Sequence, residues 1–322
     1  MLNPYLIQAT TLLLTDITAS CLISSVLIKI IFGNIIKYKD YYFIFILIYM
    51  ATMIRPSSLI FIFIVFLLLF IRQLIFHQIS YYKTIIAAIT SLFVVLPQLY
   101  NNVIQFNHWT PLVHQNLYGF QSRLAATYLK YGTVNIPNES AQLIYSTPFK
   151  VDPSTTIFQL IFENPIAFLL VYFSHIFGVL DWGYIDTYIK DFYPISRIIG
   201  TIFLYNFWIF SFFGFFSYLK NGMKSDQKNF VIISTTIAFM GYLLFISTTV
   251  IESRFGYPLM FITIPFAGYG LCQYLKLFLK NTENRINTRK LLKLLSLYII
   301  IMIIGFAFSF LLDNQTGRIN WI

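Results

Sequence analysis

The sequence predicts an all-α protein, a polytopic transmembrane helix bundle of about eight spans with one further interfacial or re-entrant segment. Of its 322 residues, 58% are hydrophobic and only 11% are charged, whereas about a quarter of a soluble domain is charged. The mean hydropathy is +0.72. Several apolar runs approach or exceed the roughly 20 residues needed to cross a bilayer. We therefore treat residues 1–322 as a single transmembrane domain.

The predicted spans are separated by short charged breaks. In chain order they are 11–33, 42–54, 57–71, 84–99, 196–219, 229–249, 259–275 and 291–312. Arg55-Pro56 divides the second span from the third, because proline lacks a backbone donor and disfavours helix in the residue before it. A part of the long polar segment after residue 100, residues 116–131, is predicted to form a surface helix.

The net charge of +10 indicates topology before it indicates a ligand. Cytoplasmic loops of membrane proteins carry the excess of lysine and arginine, so we expect membrane lipids and no nucleic acid as partners. The basic loops are 34–41, 72–83, 220–228 and 276–293. Placing them inside leaves outer loops at 101–155 and 181–195, the second of which is acidic.

Residues 156–181 do not fit simple alternation. They are apolar but would begin and end on the outer side, which a single crossing cannot do. We predict a helix in the interface followed by a re-entrant or tilted segment, kinked at Pro165. Non-helical backbone at membrane depth needs protein or water around it, so this segment also indicates a cavity.

One break between two apolar runs concentrates unusual side chains, namely Glu252, Arg254, Phe255 and Tyr257 before Pro258. Charge near a bilayer core is costly and is commonly functional. A structural interpretation is also open: Glu252 and Arg254 could form an interfacial ion pair, and the two aromatics could belong to an interfacial belt.

Asp16 and Arg55 are predicted to lie at the same outer level as this break. Asp16 could be a helix N-cap, and Arg55 could be an arginine that snorkels to the interface. Together with the break they suggest a site for a lipid-linked phosphosugar. Arginine binds phosphate through forked hydrogen bonds, and a carboxylate can act as a general base. We predict Asp16 as catalytic, and Arg55 with the four residues of the break as substrate-binding.

The remaining chemistry-bearing residues give weaker signals. His108 and His114 lie in the long outer loop and could contribute to a metal or substrate site, whereas His175 is predicted to be a packed, hydrogen-bonded residue. Cys21 and Cys272 both lie in apolar runs, and their spacing indicates neither a disulfide nor a metal site. No metal ligands are assigned, and a divalent metal cofactor is an open possibility.

Four short motifs, in order and spacing, resemble the membrane-embedded glycosyltransferases of the GT-C type. Within that class the resemblance is to the protein O-mannosyltransferases and the lipid A aminoarabinose transferase, that is, to glycosyltransferase family 39. The motifs are Asn3-Pro4 followed by Leu14-Thr15-Asp16; Ile54-Arg55-Pro56; Leu96-Pro97 with Asn101-Asn102; and Glu252-Ser253-Arg254-Phe255-Gly256-Tyr257-Pro258. Together they extend over nearly the whole chain.

The resemblance implies an inverting transferase that moves a sugar from a polyprenyl-phosphate carrier to a polysaccharide, lipid or protein acceptor of the cell envelope. It implies a multi-pass protein of the bacterial inner membrane, acting on the outer face. Arg254 and Phe255 would lie near the carrier phosphate, and Asp16 would hold a supporting acidic position. The loop after residue 101 would close over the substrate.

The family's principal catalytic aspartate follows its first span, and about three of its helices have no counterpart here. The resemblance therefore predicts either a glycosyltransferase or a fragment of one that is inactive alone, the product of a truncated gene, a split gene or a misplaced start. Alternatives are a polysaccharide polymerase, a flippase-type export component, or a non-functional remnant. A flippase should carry charges within its spans, and a polymerase usually keeps arginines in its large outer loops. Here Arg123 is the only arginine in 101–155.

Overall fold

The structure is a computed structural model. It describes residues 15–111, 116–136, 139–146, 151–152, 154–181, 195–220, 225–249, 251, 253–283 and 288–314. Within these residues the helices are α1 (Thr15–Phe32), α2 (Tyr38–Ile54), α3 (Ile60–Phe76), α4 (Tyr81–Ser91), α5 (Leu96–Phe106), α6 (Leu117–Thr127), α7 (Ile157–Glu163), α8 (Pro165–Leu180), α9 (Ile195–Lys220), α10 (Asp226–Ile246), α11 (Tyr257–Glu283) and α12 (Thr288–Asn314). Short 3-10 turns lie at Pro56–Leu59, Leu92–Val95 and Ser253–Gly256.

Five helical segments among the described residues are long and apolar enough to cross a membrane. They are Thr15–Phe32, Pro56–Phe76, Tyr81–Phe106, Thr201–Lys220 and Asp226–Ile246. The prediction of a helical membrane protein is thereby confirmed in its class. The count of about eight spans is not confirmed, because the predicted spans 42–54, 259–275 and 291–312 are not among these five. Ser296–Ser309, within the last of them, and Pro165–Leu180 are apolar but shorter.

The main core lies where α1, α2, α3 and α10 meet. Its largest fully buried side chains include Tyr41, Phe45, Phe61, Phe230 and Tyr242. The rings of Phe61 and Tyr242 stack with their centres 5.1 Å apart. The predicted division between the second and third spans is confirmed, since α2 ends at Ile54 and a 3-10 turn begins at Pro56.

Arg72 was expected to begin a cytoplasmic loop, but it lies inside α3 and is buried. Its guanidinium donates to the carbonyls of Ile30 and, at 2.7 Å, of Gly33. Gln227 donates to the carbonyl of Ile31 at 2.7 Å. The last carbonyls of a helix carry partial negative charge and have no partner within the helix. Arg72 is therefore buried because it caps the C-terminal end of α1.

The long polar segment contains more regular structure than the sequence predicts. The surface helix expected over 116–131 is shorter, ending at Thr127. Two strands then pair antiparallel, β1 (Tyr128–Ile136) with β2 (Glu139–Ser146), with an irregularity between Tyr128 and Lys130. No strand was predicted here, so the all-α class describes the helix bundle and not this hairpin.

Residues 157–180 form two helices divided at Asn164-Pro165, as the proline predicts. The Asn164 side chain caps α8 by accepting from the backbone N–H of Ala167 at 3.1 Å. Two contacts between α8 and the end of α10 follow the same order along both segments. The Tyr172 hydroxyl donates to the carbonyl of Leu244, and three residues later in each segment the His175 ring contacts the carbonyl of Ser247. The two helices therefore run in the same direction.

Helices α9 and α11 cross at two glycines. A Cβ atom at Gly214 would collide with the carbonyl of Phe266, and one at Gly270 with the carbonyl of Phe210. Small residues allow this close approach of two backbones. Residue 210 of α9 therefore lies against residue 270 of α11, and residue 214 lies against residue 266. Because the order is reversed, the two helices run in opposite directions where they cross.

Candidate functional site

The predicted outer site is built around a buried ion pair. Asp16 lies in the first turn of α1, and Arg55 lies in the link between α2 and the following 3-10 turn. The Arg55 guanidinium pairs with the Asp16 carboxylate, and the two residues are 8% and 1% exposed. A buried charge is stable only when a partner compensates it, so each of these residues explains the burial of the other.

The backbone around Arg55 fixes the direction of its side chain. The residue has φ −142° and ψ 109°, an extended conformation that the following Pro56 favours. Its Nε donates to Ser57 Oγ at 2.8 Å, and its carbonyl accepts from the N–H of Ser58 at 2.9 Å. Arg55 is therefore held on both its backbone and its guanidinium.

Phe255 covers the ion pair from the break between α10 and α11. The centre of its ring lies 4.6 Å from the Arg55 guanidinium carbon, within the range of a cation–π interaction. Its carbonyl accepts from the Tyr242 hydroxyl at 3.0 Å. The side chain and the backbone of Phe255 thus attach the 3-10 turn Ser253–Gly256 to the core.

The other side of this turn packs against the end of α8. A Cβ atom at Gly256 would collide with the carbonyl of Val179, and one at Gly178 would lie 3.3 Å from Ile251. Tyr257, the first residue of α11, is 4% exposed. The turn is therefore held between the ion pair on one side and α8 on the other.

The structure brings Asp16, Arg55 and Phe255 together, as predicted, from three separate parts of the chain. Tyr257 is buried at the base of the turn. Glu252 lies outside the described residues, as does the side chain of Arg254. Their predicted roles in substrate binding, and that of Asp16 as a catalytic residue, stay predictions. The burial of Asp16 against Arg55 makes it best suited to hold Arg55 in position.

A second buried carboxylate lies nearby and was missed by the sequence analysis, which placed Asp181 in an outer acidic loop. Asp181 directly follows α8 and is 1% exposed. Its two oxygens accept hydrogen bonds from Tyr205 of α9 at 3.0 Å and from Ser309 of α12 at 2.8 Å. The signal available was its position, since an aspartate at the immediate end of an apolar run can bury with its helix. Asp186 and Asp191 of the same loop lie outside the described residues.

His175 confirms its prediction as a packed, hydrogen-bonded residue. It is fully buried, and its Nδ1 lies 2.9 Å from the carbonyl oxygen of Ser247. A carbonyl can only accept, so Nδ1 carries the proton. Beside it, the hydroxyls of Thr248 and Tyr118 lie 2.9 Å apart. These contacts connect α6 and α8 to the C-terminal end of α10.

The described residues include no group of three or more histidine, cysteine, aspartate or glutamate side chains that could hold a metal ion. His108 follows α5 and lies 6.5 Å from Phe106 between ring centres. His114 lies outside the described residues.

Comparison of the chain with models of protein families, with characterised proteins and with solved structures finds no match. The candidate site is therefore described by its own contacts. The buried Asp16–Arg55 pair, covered by the Phe255 ring, supports the short turn Ser253–Gly256.

Proposed function

We propose that this chain is a membrane glycosyltransferase. It would move a sugar from a polyprenyl-phosphate carrier to a polysaccharide, lipid or protein acceptor on the outer face of the bacterial inner membrane. In this proposal Arg254 binds the carrier phosphate, and Phe255 and Tyr257 shape the wall beside it. Asp16 and Arg55 hold the turn in place.

The observation that carries the proposal is the convergence of three distant segments. Residues 16, 55 and 255 were selected as one site from their residue types and expected depth, and their side chains are in contact. A purely structural ion pair would need only Asp16 and Arg55. The addition of a turn with a second arginine, clamped from both sides, favours a site for an anionic ligand.

The proposal includes a topology of about eight crossings. Besides the five long apolar segments, α2, α11 and α12 would also cross, and α7 with α8 would form the re-entrant segment. The direction of α8 supports this, because it ends beside the break at 251–256. The α9–α11 contacts argue against eight crossings. Eight alternating crossings would make these two helices run in the same direction, whereas they run in opposite directions where they cross.

An export component of the flippase type is the second candidate. The specific observation in its favour is Asp181, a buried carboxylate that directly follows α8 and accepts hydrogen bonds from α9 and α12. Ionisable residues buried among membrane helices commonly mark a transport path. The two candidates differ in their product, because a transferase consumes the lipid-linked sugar and a flippase leaves it intact.

The test uses membrane vesicles that contain the full chain and a radiolabelled polyprenyl-phosphate sugar. We expect label to leave the lipid fraction with the wild-type chain and to stay there with Arg254→Ala. Arg123→Ala is the matched control, because Arg123 is an exposed arginine on α6 in the outer segment. Normal transfer by Arg254→Ala, with equal amounts of inserted protein, would remove Arg254 from the site.

A further inference from the structure

A cavity of about 240 Å³ lies between α1, α9, α10 and α11. Its lining is mostly apolar, and two of its residues, Ile28 and Phe32, are 57% and 63% exposed. The cavity is therefore open on the side of α1. Because α1, α9 and α10 each contain a segment able to cross a membrane, this opening faces the hydrocarbon of the bilayer.

One stripe of α10 forms the back of the cavity. Val231, Thr235 and Ala238 line it, and Lys228 is placed three residues before Val231, on the same helix face. The Lys228 ammonium donates to the carbonyl of Leu219 at 2.9 Å and lies 6.0 Å from the centre of the Tyr218 ring. Since Tyr218 also lines the cavity, a lysine stands at one end of it.

The α10 face from Lys228 to Ala238 is about as long as one leaflet of a bilayer is thick. Ala238 is ten residues beyond Lys228 on one helix, a distance of about 15 Å at the rise of an α-helix. The hydrocarbon core of a bilayer is about 30 Å thick. Lys228 and the cavity together therefore extend over about half the thickness of the bilayer, as one phospholipid does.

The end with Lys228 is basic. Lys220, at the end of α9, is exposed, and the carboxylate of Asp226 lies in the first turn of α10. Lys29, in the last turn of α1, is already paired with Asp40 at 2.8 Å. Basic ends of spans lie on the cytoplasmic side, where anionic lipids attract lysine. Asp16 lies at the opposite end of α1 from Phe32, so the cavity is separate from the proposed transferase site.

We infer that this cavity binds one anionic phospholipid of the cytoplasmic leaflet. One acyl chain fills the space between α1, α10 and α11, and the phosphate lies against Lys228 and Lys220. The site does not depend on the transferase proposal. Its role is to complete the packing of four helices at the end where the cavity would otherwise separate them.

The test uses the full chain purified in detergent, with added phosphatidylglycerol or phosphatidylcholine of identical acyl chains. Native mass spectrometry counts the retained lipid, and thermal unfolding reports its effect. We expect one retained phosphatidylglycerol and a saturable rise in Tm, with weaker binding of phosphatidylcholine. Lys228→Gln should weaken phosphatidylglycerol binding about fivefold. Ile28→Trp, which closes the opening from an exposed position, should abolish it.

Matched controls separate this site from general effects of charge and bulk. Lys39→Gln removes an exposed cytoplasmic lysine elsewhere, and Ile233→Trp adds bulk to an exposed face of α10; both should bind as wild type. Ala238→Leu fills the cavity from within and replaces Ile28→Trp if that variant is not folded. Equal binding of the two phospholipids by the wild type would overturn the inference. So would undiminished binding by a folded cavity-filling variant, or stronger binding of polyprenyl phosphate than of phosphatidylglycerol at this cavity.

Discussion

The guanidinium of Arg55 and the carboxylate of Asp16 pair in a position where neither residue is more than 8% exposed. The pair joins α1 to the link after α2, and the Phe255 ring covers it from the far part of the sequence. The pair and the ring that covers it thus connect three regions that are 39 and 200 residues apart in the sequence (16 to 55, and 55 to 255).

Because the Asp16–Arg55 pair is buried, we predict that removing one partner lowers the stability more than it would in an exposed pair. Asp16→Ala or Arg55→Ala leaves one buried charge without its partner, which costs about 3–5 kcal/mol. The double variant Asp16→Leu with Arg55→Met removes both charges and should be much more stable than either single variant. Thermal unfolding of the purified protein measures the difference.

The control is the pair of Lys29 with Asp40, at 2.8 Å, whose side chains are 27% and 12% exposed. Asp40→Asn should cost about 1 kcal/mol or less, because partly exposed ion pairs contribute little. If the Asp16 and Arg55 single variants are no less stable than Asp40→Asn, the buried pair does not hold the turn.

The glycine crossing of α9 and α11 makes the second prediction. Gly214→Ala and Gly270→Ala each place a methyl group against a backbone carbonyl that cannot move aside, so each should cost about 1–3 kcal/mol. Gly268→Ala is the matched control on the same helix, because a Cβ there meets nothing within 4 Å. Equal unfolding temperatures of Gly270→Ala and Gly268→Ala would contradict the crossing.

Asp181 is predicted to stabilise the contact of α8 with α9 and α12. Asp181→Ala removes both acceptor oxygens from the hydroxyls of Tyr205 and Ser309, at a cost of about 1–3 kcal/mol. Ser309→Ala removes one of the two hydrogen bonds and should have a smaller effect. Asp152→Asn, at an exposed aspartate, should leave the unfolding temperature unchanged. A neutral result for Asp181→Ala would show that its two hydrogen bonds contribute no stability.

The sequence predicts the bundle better than it predicts its contacts. The turn at Arg55-Pro56 and the kink at Asn164-Pro165 follow from proline chemistry and are confirmed. The burial of Arg72 and Asp181 could not be predicted, because it depends on partners in other helices: carbonyls of α1 for Arg72, and hydroxyls of α9 and α12 for Asp181. Composition indicates that a charge near a span needs a partner, but not which residue supplies it.

Topology is open to direct labelling. Cys21 and Cys272 are both exposed free cysteines and must first be replaced by serine. A cysteine at Ser253 should then react with an impermeant maleimide from outside, and one at Ser225 should react only after permeabilisation. Labelling of Ser225→Cys from outside would invert the predicted sides of the loops.

A cysteine at Asn281 reports the direction of α11. Eight crossings place residue 281 inside, whereas α9 and α11 running in opposite directions place it outside.

Binding of the carrier is the most direct test of the account. Polyprenyl phosphate would be titrated into nanodiscs that contain the wild-type chain, Arg254→Ala, Arg254→Lys or Lys228→Gln, with binding followed by native mass spectrometry. We predict saturable binding that is lost in Arg254→Ala, weakened in Arg254→Lys because lysine lacks the forked geometry, and unchanged in Lys228→Gln. Absence of binding by the wild type, or equal binding by Arg254→Ala, would contradict the proposal that this turn recognises a lipid-linked sugar phosphate.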